Sequence, residues 1–357
     1  MTRTPLHDTL EAVGAVFGER EGAEVALHFG AAADEYRAAA TRPTVTDRSH
    51  AGRIRIGGEM RQDYLQRVSS GPMKPLGPGA GAATVLPTPK GRYIAYVEIL
   101  DFGDHYLALT APTRREAAEK YIRKFRFGDD VKPEDVTAST VQIEVFGPGA
   151  AGVVESALGA SVAELTLHHH VEAKVGGASV VIVRGELPEG GGYHLIAPAE
   201  AGAKLWEAVT GAGDVNLAGA EAYEWLRVKA GLPAADHEQT EETIPLETDQ
   251  LGAIDFQKGC YTGQEVIAKL YNYNAIPRRL RGLRFREAGV RLGPEHVIRD
   301  GKRDVGRVTT VADLPDVPTS VGLALVRSDQ AKAGTEVVVA DGAREFAATV
   351  VDLPFTL

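Results

Sequence analysis

The sequence predicts a mixed α+β fold built from two or three modules. The chain has 357 residues, which is more than a single hydrophobic core usually organises. Helix-like and strand-like segments alternate irregularly, without a repeat of fixed period. After Pro277 the pattern changes to short strands separated by glycines and prolines, which is typical of a small closed β module. Together these observations place α/β modules first and a β-barrel last.

The periodicity of apolar residues locates the individual elements. Helical spacing predicts helices at 8–17, 60–68, 112–125, 150–158, 198–209 and 219–230. Alternation predicts strands at 25–29, 53–56, 93–100, 105–110, 141–146, 178–183 and 193–197. Breaker-rich residues 69–82 predict a loop, and we expect a linker at 128–137.

Composition narrows the classes of function. Hydrophobic residues make up 44% and charged residues 25%, which is ordinary for a globular protein, so disorder is not expected. The net charge of −10 repels phosphate backbones and anionic membranes, so we expect no direct nucleic-acid partner. We also expect neither a secretory signal nor a membrane span. A single cysteine excludes an internal disulfide and fits a reducing cytoplasm.

Residues 256–270, FQKGCYTGQEVIAKL, differ from this background. Gly259 and Gly263 flank Cys260, and a helical pattern follows, so a tight loop leads into a helix N-terminus. That terminus and Lys258 would favour the thiolate of Cys260. The alternative is that Cys260 is a small buried apolar residue, as isolated cysteines often are.

The segment from Lys258 to Glu265, KGCYTGQE, resembles the hallmark of the YgfZ family, whose mitochondrial relatives assist iron–sulfur protein maturation. LRVKAGLP at 226–233 and TIPLETDQLGAIDF at 243–256 resemble the sequence that leads into that hallmark. Residues 27–39, 53–65 and 88–99 resemble N-terminal blocks of the same superfamily, which includes the glycine-cleavage T-protein. Residues 305–327 are similar to its C-terminal barrel.

The resemblance implies a T-protein-like fold of three modules around a channel for a reduced folate. Two intertwined α/β modules would occupy residues 1–280 and a small β-barrel residues 281–357. Tetrahydrofolate or a derivative is the implied cofactor, and no metal site is expected. The implied functional thiol is Cys260, assisted by Lys258, within a motif that also contains Gly259, Tyr261, Gly263, Gln264 and Glu265. The implied folate contacts are Glu189, Tyr193, Arg227, Lys90 and Arg92. Glu189 is the nearest carboxylate to the place where the T-protein holds the pterin, and a solvated surface role for it stays open.

One departure from the T-protein pattern bears on catalysis. The T-protein has an aspartate just after a KGG-type turn, whereas the similar segment here, KGRYIAY at 90–96, has no carboxylate before Glu98. The missing aspartate falls at Ala95, so proton transfer at that position is unsupported. Lys229 also stands where many relatives have an acidic residue.

These features favour a tetrahydrofolate-binding protein that acts in synthesis or repair of iron–sulfur clusters. Its partners would be client enzymes, including tRNA-modifying ones. The alternative is a folate-dependent aminomethyl or methyl transferase, or a demethylase. A carrier of a cluster bridged between two subunits through Cys260 also stays open.

Three further features favour structural explanations. The triplet His168–His170 lacks metal-ligand spacing, so we interpret it as a polar loop or strand edge. Gly190–Gly192 lacks a phosphate-binding frame and is interpreted as a turn. A basic segment at 277–286 predicts a solvated strand, with a surface for a partner or a folate tail as the functional alternative; its arginines are Arg278, Arg279, Arg281, Arg284 and Arg286.

Overall fold

The computed structural model describes residues 2–124, 126 and 128–356. Within this part of the chain the strands are β1 (Val16–Arg20), β2 (Ala23–His28), β3 (Thr44–Asp47), β4 (Gly52–Gly57), β5 (Gly81–Pro87), β6 (Tyr93–Asp101), β7 (Tyr106–Thr110), β8 (Lys132–Asp135), β9 (Thr140–Phe146), β10 (His170–Val175), β11 (Ala178–Gly185), β12 (Gly192–Pro198), β13 (Asn216–Leu217), β14 (Arg278–Phe285), β15 (Val297–Asp300), β16 (Arg303–Ala312), β17 (Val321–Arg327), β18 (Glu336–Asp341) and β19 (Arg344–Val351). The helices are α1 (His7–Ala12), α2 (Ala32–Ala39), α3 (Arg61–Val68), α4 (Arg115–Lys124), α5 (Ala150–Leu158), α6 (Gly202–Thr210), α7 (Ala220–Ala230) and α8 (Gln264–Asn272).

Two larger sheets form the first part of the molecule. The six-stranded sheet has the order β10-β11-β12-β9-β3-β13, and the five-stranded sheet has the order β5-β6-β7-β4-β8. Strands from the two sheets interleave along the chain, because β3 and β9 flank the whole five-stranded sheet in sequence. The modules are therefore intertwined, as the resemblance implied.

Each large sheet packs helices on one face and the other sheet on its opposite face. Trp206 of α6 and Val154 of α5 join the core of the six-stranded sheet, and Leu65 of α3 joins that of the five-stranded sheet. Between the sheets, a smaller cluster contains Leu100, Leu107, Leu109, Val183 and Ile196. Strands β9 and β12 are therefore covered on both faces, which accounts for their nearly continuous burial.

The last six strands close into a barrel of order β14-β17-β16-β15-β18-β19. Its interior is filled by apolar side chains such as Leu283, Val308 and Phe346. A separate apolar cluster joins the barrel to α2 and α7 through Tyr36, Leu226, Leu280, Leu323 and Phe355. The barrel is thus fixed against the helices that border the two sheets.

The predicted fold class, α+β modules followed by a closed β-barrel, is confirmed. The boundary between residues 280 and 281 stays a prediction; the first barrel strand begins at Arg278.

Two local predictions are wrong, and a third is confirmed except at its end. The helix expected at 8–17 ends at Ala12, since Gly14 has a φ of 88° and the chain then turns into β1. Residues 128–137 are not a plain linker, because β8 pairs with β4 there. The loop expected at 69–82 ends where β5 begins at Gly81. Residue 125, the predicted end of α4, lies outside the described residues.

Candidate functional site

The alternation of side chains along β6 places two polar groups between the sheets. Ala95, Val97 and Ile99 point toward the helices and join the core of the five-stranded sheet. Because successive residues of a strand face opposite sides, Tyr96 and Glu98 point toward the other sheet. Both line a cavity there. Ala95, where the expected aspartate is missing, therefore faces away from this cavity.

The facing strands β9 and β12 follow the same rule. Val141, Ile143 and Val145 of β9 pack against the helices, as do Tyr193, Leu195 and Ala197 of β12. The residues between them, Gln142, Glu144 and His194, line the cavity between the sheets.

Glu98, Glu144 and His194 meet at the floor of this cavity and are named here the floor cluster. His194 Nδ1 lies 3.2 Å from Glu144 Oε1, and its Nε2 lies 3.6 Å from Glu98 Oε2. The other Glu98 oxygen, Oε1, lies 2.8 Å from Nδ1 of His168. A Cβ added to Gly185 would lie 2.4 Å from His194 Nε2, so this glycine makes room for the imidazole.

Burial and pairing shift the pKa values of the floor cluster in opposite directions. Burial raises the pKa of Glu98, but the hydrogen bond from His168 and the charge of His194 outweigh it, and the pKa lies below its ordinary value. Burial is likewise outweighed at Glu144, whose pKa is lowered by His194 and Arg48. Burial lowers the pKa of His194, but Glu144 and then Glu98 raise it above the ordinary value. The arrangement favours a protonated imidazole between two carboxylates.

The cavity has a volume of ≈ 230 Å³. Its wall combines apolar side chains with charged ones, including Leu109, Leu187, Pro233, Tyr223, Arg48, Arg114, Glu186 and Arg227. Glu186, Leu187 and Leu232 also line a second cavity of ≈ 700 Å³, so the two spaces adjoin. Two adjoining cavities can hold a flat ring in one and a longer substituent in the other.

The predicted folate residues Glu189 and Tyr193 lie away from the floor cluster. Glu189 lines the second cavity, named here the outer cavity, and accepts a hydrogen bond of 2.8 Å from Lys229 Nζ. Tyr193 points into the helix-covered core, where its hydroxyl donates to the carbonyl of Val162 at 3.0 Å. Its neighbour His194 faces the cavity instead, because strand side chains alternate.

Arg227 does line the central cavity, but it is held by protein partners. Its guanidinium donates to Glu224 at 2.8 Å, to Glu238 at 3.2 Å and to the carbonyl of Leu232 at 2.8 Å. A fourth contact, 3.3 Å to Thr310, reaches the barrel. Arg227 therefore ties α7 to the loop at 232–239 and to β16.

Lys90 and Arg92 line a different surface cleft, together with Ile244 and Arg278. The turn that carries them packs against the Cys260 motif: a Cβ on Gly263 would lie 2.6 Å from the carbonyl oxygen of Thr88 and 2.9 Å from Gly91 Cα. The two segments that the sequence analysis singled out are therefore adjacent in space.

The Cys260 motif forms the expected loop before a helix. Gly263 has a φ of 77° and precedes α8, whose first residues are Gln264 and Glu265. Cys260 is exposed, which excludes the interpretation as a buried apolar residue. Exposed Gly259 lines the same surface groove as Cys260.

The neighbours of Cys260 are held by the protein. Tyr261 is buried, and Lys258 Nζ donates to the carbonyls of Ser69 and Gly71 at 2.8 and 2.6 Å. Burial lowers the pKa of Lys258 to about 8. Two of the three N–H donors of Lys258 are thus hydrogen-bonded to the backbone at residues 69–71.

The other features of the sequence are mainly structural. Arg278 pairs with Glu247 at 2.6 Å and Arg286 with Glu336 at 2.7 Å. Arg281 and Arg284 donate to backbone carbonyls.

Among the described residues no group of three or more His, Cys, Asp or Glu side chains is arranged to hold a metal ion. None of the helices in the described ranges is long and apolar enough to cross a membrane.

Sequence reasoning missed the floor cluster, although a signal was present. Two apolar strands carry polar residues at alternate positions, in YVEIL and VQIEVF, and a third, GYHLIAP, carries one histidine. Buried polar side chains on facing strands indicate a polar site between them. His168 of the histidine triplet, which the sequence analysis interpreted as a polar loop or strand edge, contacts this site through Glu98.

Comparisons with known proteins cover the whole molecule. Residues 6–258 match the GCVT N-terminal domain, and residues 278–356 match the glycine cleavage T-protein C-terminal barrel domain. The chain is 30% identical to an aminomethyltransferase of Geobacillus kaustophilus, over 99% of this chain and 98% of that one. It is 27% identical to an aminomethyltransferase of Bacillus subtilis, over 99% of both chains.

A solved structure shows the same fold. The crystal structure of glycine cleavage system aminomethyltransferase T from Bartonella henselae superposes with a TM-score of 0.88 at 21% identity, and covers 99% of this chain and 98% of that chain. The domain matches and the full-length identity agree with this superposition. The chain belongs to the glycine cleavage T-protein, or aminomethyltransferase, family.

Proposed function

We propose that this protein binds a reduced folate in the central cavity and transfers an aminomethyl-level one-carbon unit between an amine and that folate. Members of its family use tetrahydrofolate or its derivatives. The full-length relatives named above are aminomethyltransferases.

A single observation carries the proposal: the carboxylate of Glu98 lines the cavity beside Tyr96. The absence of an aspartate at Ala95 argued against turnover, but the Ala95 side chain faces the helices. Glu98 is on the cavity face of the same strand, so a proton acceptor is present there. Transfer of a methylene group between two nitrogens leaves the oxidation level of its carbon unchanged, so this reaction requires no oxidant.

The two adjoining cavities suit the two ends of a folate. The inner one offers apolar walls and carboxylates to a flat pterin, with Glu186 at the boundary. The outer one offers the cations Arg184 and Lys229 to the glutamate carboxylates. Lys229 is already paired with Glu189, so a tail carboxylate would compete with Glu189 for it.

The test is anaerobic calorimetric titration with tetrahydrofolate, followed by an assay of methylenetetrahydrofolate formation from an aminomethyl donor. We expect Glu186→Gln to weaken binding at least about tenfold, the cost of one good hydrogen bond to a charged group. Glu189→Gln should leave binding unchanged or strengthen it by less than about threefold, because it frees Lys229 for a tail carboxylate. No binding by the wild-type protein would refute the proposal.

A second candidate function is the YgfZ-type role in synthesis or repair of iron–sulfur clusters of client enzymes. One observation favours it: Cys260 is exposed in a groove that also contains Lys258 and Asp255, outside the central cavity. A surface thiol is accessible to a partner protein or to a shared cluster.

A strain that lacks this protein, complemented with wild type or Cys260→Ala, tests the second candidate. Lower activity of iron–sulfur enzymes in the variant strain, with equal protein levels, would support it. Equal activity in both strains would count against it. Colour in anaerobically purified wild-type protein, absent from Cys260→Ala, would instead indicate a carried cluster.

A further inference from the structure

We propose that Glu98 is the catalytic base of the central cavity, and that His194 and Glu144 are positioning residues that hold it in a buried acid–base relay. This inference deepens the proposed function and rests on it. It assigns the proton transfer to the floor cluster rather than to the position that Ala95 occupies. Glu98 would take the proton from the attacking folate nitrogen as that nitrogen bonds to the methylene carbon.

The proton and electron balance closes without another reactant. The N–H bond of the folate nitrogen breaks, and its proton passes to Glu98. The bond between the methylene carbon and the leaving nitrogen breaks, and its electron pair stays on that nitrogen. Glu98 then returns the proton to the leaving amine, so the relay ends as it began. The methylene carbon forms its second bond, to the other folate nitrogen, in a second displacement of the same kind. In that displacement the donor's remaining substituent leaves with the bonding electron pair and takes up the proton that this nitrogen loses.

The two oxygens of Glu98 have different roles in this arrangement. Oε1 is engaged by His168 at 2.8 Å. Oε2 is 3.6 Å from His194 Nε2, which is beyond a normal hydrogen bond. This oxygen is therefore oriented by a nearby cation but retains a lone pair for a substrate proton. The Glu98 side chain is 11% exposed, and it lines the cavity.

His194 is fixed by its surroundings. Glu144 lies at its Nδ1, Glu98 lies toward its Nε2, and Gly185 leaves space for the ring. The amide of Gln142 lies 3.3 Å from Nδ1. A carboxylate that orients an imidazole toward a second group is a recurrent way of fixing an acid–base pair.

Other charged and titratable groups approach the floor cluster from neighbouring elements. Arg48, in the loop after β3, acts electrostatically on both Glu144 and His194. Its guanidinium lies 4.7 Å from the ring centre of Tyr223 on α7. Tyr96 and His168 face Glu98. The pH dependence expected of the floor cluster therefore reflects the charges of all these groups together.

Stability does not explain the cluster. Replacing buried ion pairs by apolar residues is often neutral or stabilising. Apolar side chains already join the sheets at Leu100, Val183 and Ile196. The charged groups instead stand where the sheets leave a cavity, as expected of a site that meets a ligand.

The first measurement follows the imidazole signal of His194 by NMR in the full-length protein. Wild-type His194 should titrate above the ordinary range, Glu144→Gln should lower that midpoint, and added tetrahydrofolate should shift the signal. The control Glu345→Gln, an exposed carboxylate on β19, should change none of these. The relay would be overturned by a His194 midpoint in the ordinary range that Glu144→Gln does not change. It would also be overturned by a His194 signal that bound tetrahydrofolate does not shift.

The second measurement is kinetic. Glu98→Gln should lower kcat about 10²- to 10⁴-fold, the usual contribution of a general base, while the Kd for tetrahydrofolate changes less than about threefold. Glu144→Gln lowers the midpoint at which His194 loses its proton, so it should move the alkaline limb of the kcat–pH profile to lower pH. A merely structural role of Glu144 would not move that limb. A kcat of Glu98→Gln within about threefold of wild type would overturn the assignment.

The two proposals fail differently. Tetrahydrofolate binding without turnover in the wild type would refute the transfer function, and with it the catalytic role of Glu98. The NMR titration would still show whether the three side chains form a coupled set at the folate site. Turnover in the wild type that survives Glu98→Gln would refute the relay alone. Absence of tetrahydrofolate binding would refute both.

Discussion

The floor cluster and the Cys260 loop concentrate chemically active groups in opposite ways. Glu98, Glu144 and His194 are buried between two sheets, and each is paired with another member of the set. Cys260 is exposed, while its neighbours Lys258 and Tyr261 are held by the protein. In one region the charged groups are paired across the two sheets, and in the other a single thiol is exposed beside residues that the protein holds by hydrogen bonds and burial.

The difference shows what a conspicuous sequence motif encodes. Gly263 and Gly91 are required where two turns approach within contact distance, so a run of unusual residues appears together in the sequence. The floor cluster comes from three separate strands, so in the sequence its members are isolated polar residues within apolar segments. A compact motif marks local chain geometry, whereas a dispersed set can carry the chemistry.

Arg227→Ala tests a buried charge pair and should give the largest change in the free energy of unfolding. It leaves Glu238, which is fully buried, without its cation, so we expect a loss of about 3–5 kcal/mol in the free energy of unfolding. Urea denaturation measures it. Lys229→Ala on the same helix is the control, because its pair with Glu189 is partly exposed and should contribute less than about 1 kcal/mol. Similar losses in both variants would contradict this view of Arg227.

Gly185→Ala should separate the floor cluster from the rest of the fold. The new Cβ would overlap the His194 imidazole, so the ring must leave its place between the carboxylates. We expect a loss of stability of about 1–3 kcal/mol from overpacking, together with loss of the His194 NMR titration described above. Gly152→Ala in α5 is the control, since no atom crowds that position and alanine favours helix. An unchanged His194 titration in Gly185→Ala would show that the ring tolerates displacement.

The pH dependence of stability sharpens the comparison further. The pKa values of Glu98 and Glu144 are lowered by folding, so their stabilisation is present above the ordinary value of 4.5 and is lost as pH falls through the folded values. The pKa of His194 is raised, so its stabilisation is present below 6.5 and is lost as pH rises through the folded value. The difference in unfolding free energy between wild type and Glu144→Gln should therefore be largest between these two values. A difference that is flat across the pH range would contradict this prediction.

Cys260→Ala should have the smallest effect on the fold. The side chain is exposed, so the free energy of unfolding should change by less than about 0.5 kcal/mol and tetrahydrofolate affinity should stay the same. Thermal unfolding and calorimetry measure both. A variant that unfolds would show that the thiol is structural and would remove it as a candidate for the second function.

The sequence predicted most strands and helices because burial imposes periods of 2 and 3.6 on apolar residues. It failed where a short element depends on a distant partner. The strand β8 exists because β4, which is distant in sequence, offers it a free edge. That pairing is not visible in a local window.

The candidate site divides along the same line. By itself the sequence determined the α+β class, the C-terminal barrel, and the loop and helix around Cys260, because each depends on local pattern or on a family motif. Only the tertiary structure decided that Tyr193 faces the core while His194 faces the cavity, and that Glu98 reaches a site which Ala95 does not. The physical reason is that a strand fixes which residues share a face, but the packing of the two sheets decides which face becomes the cavity.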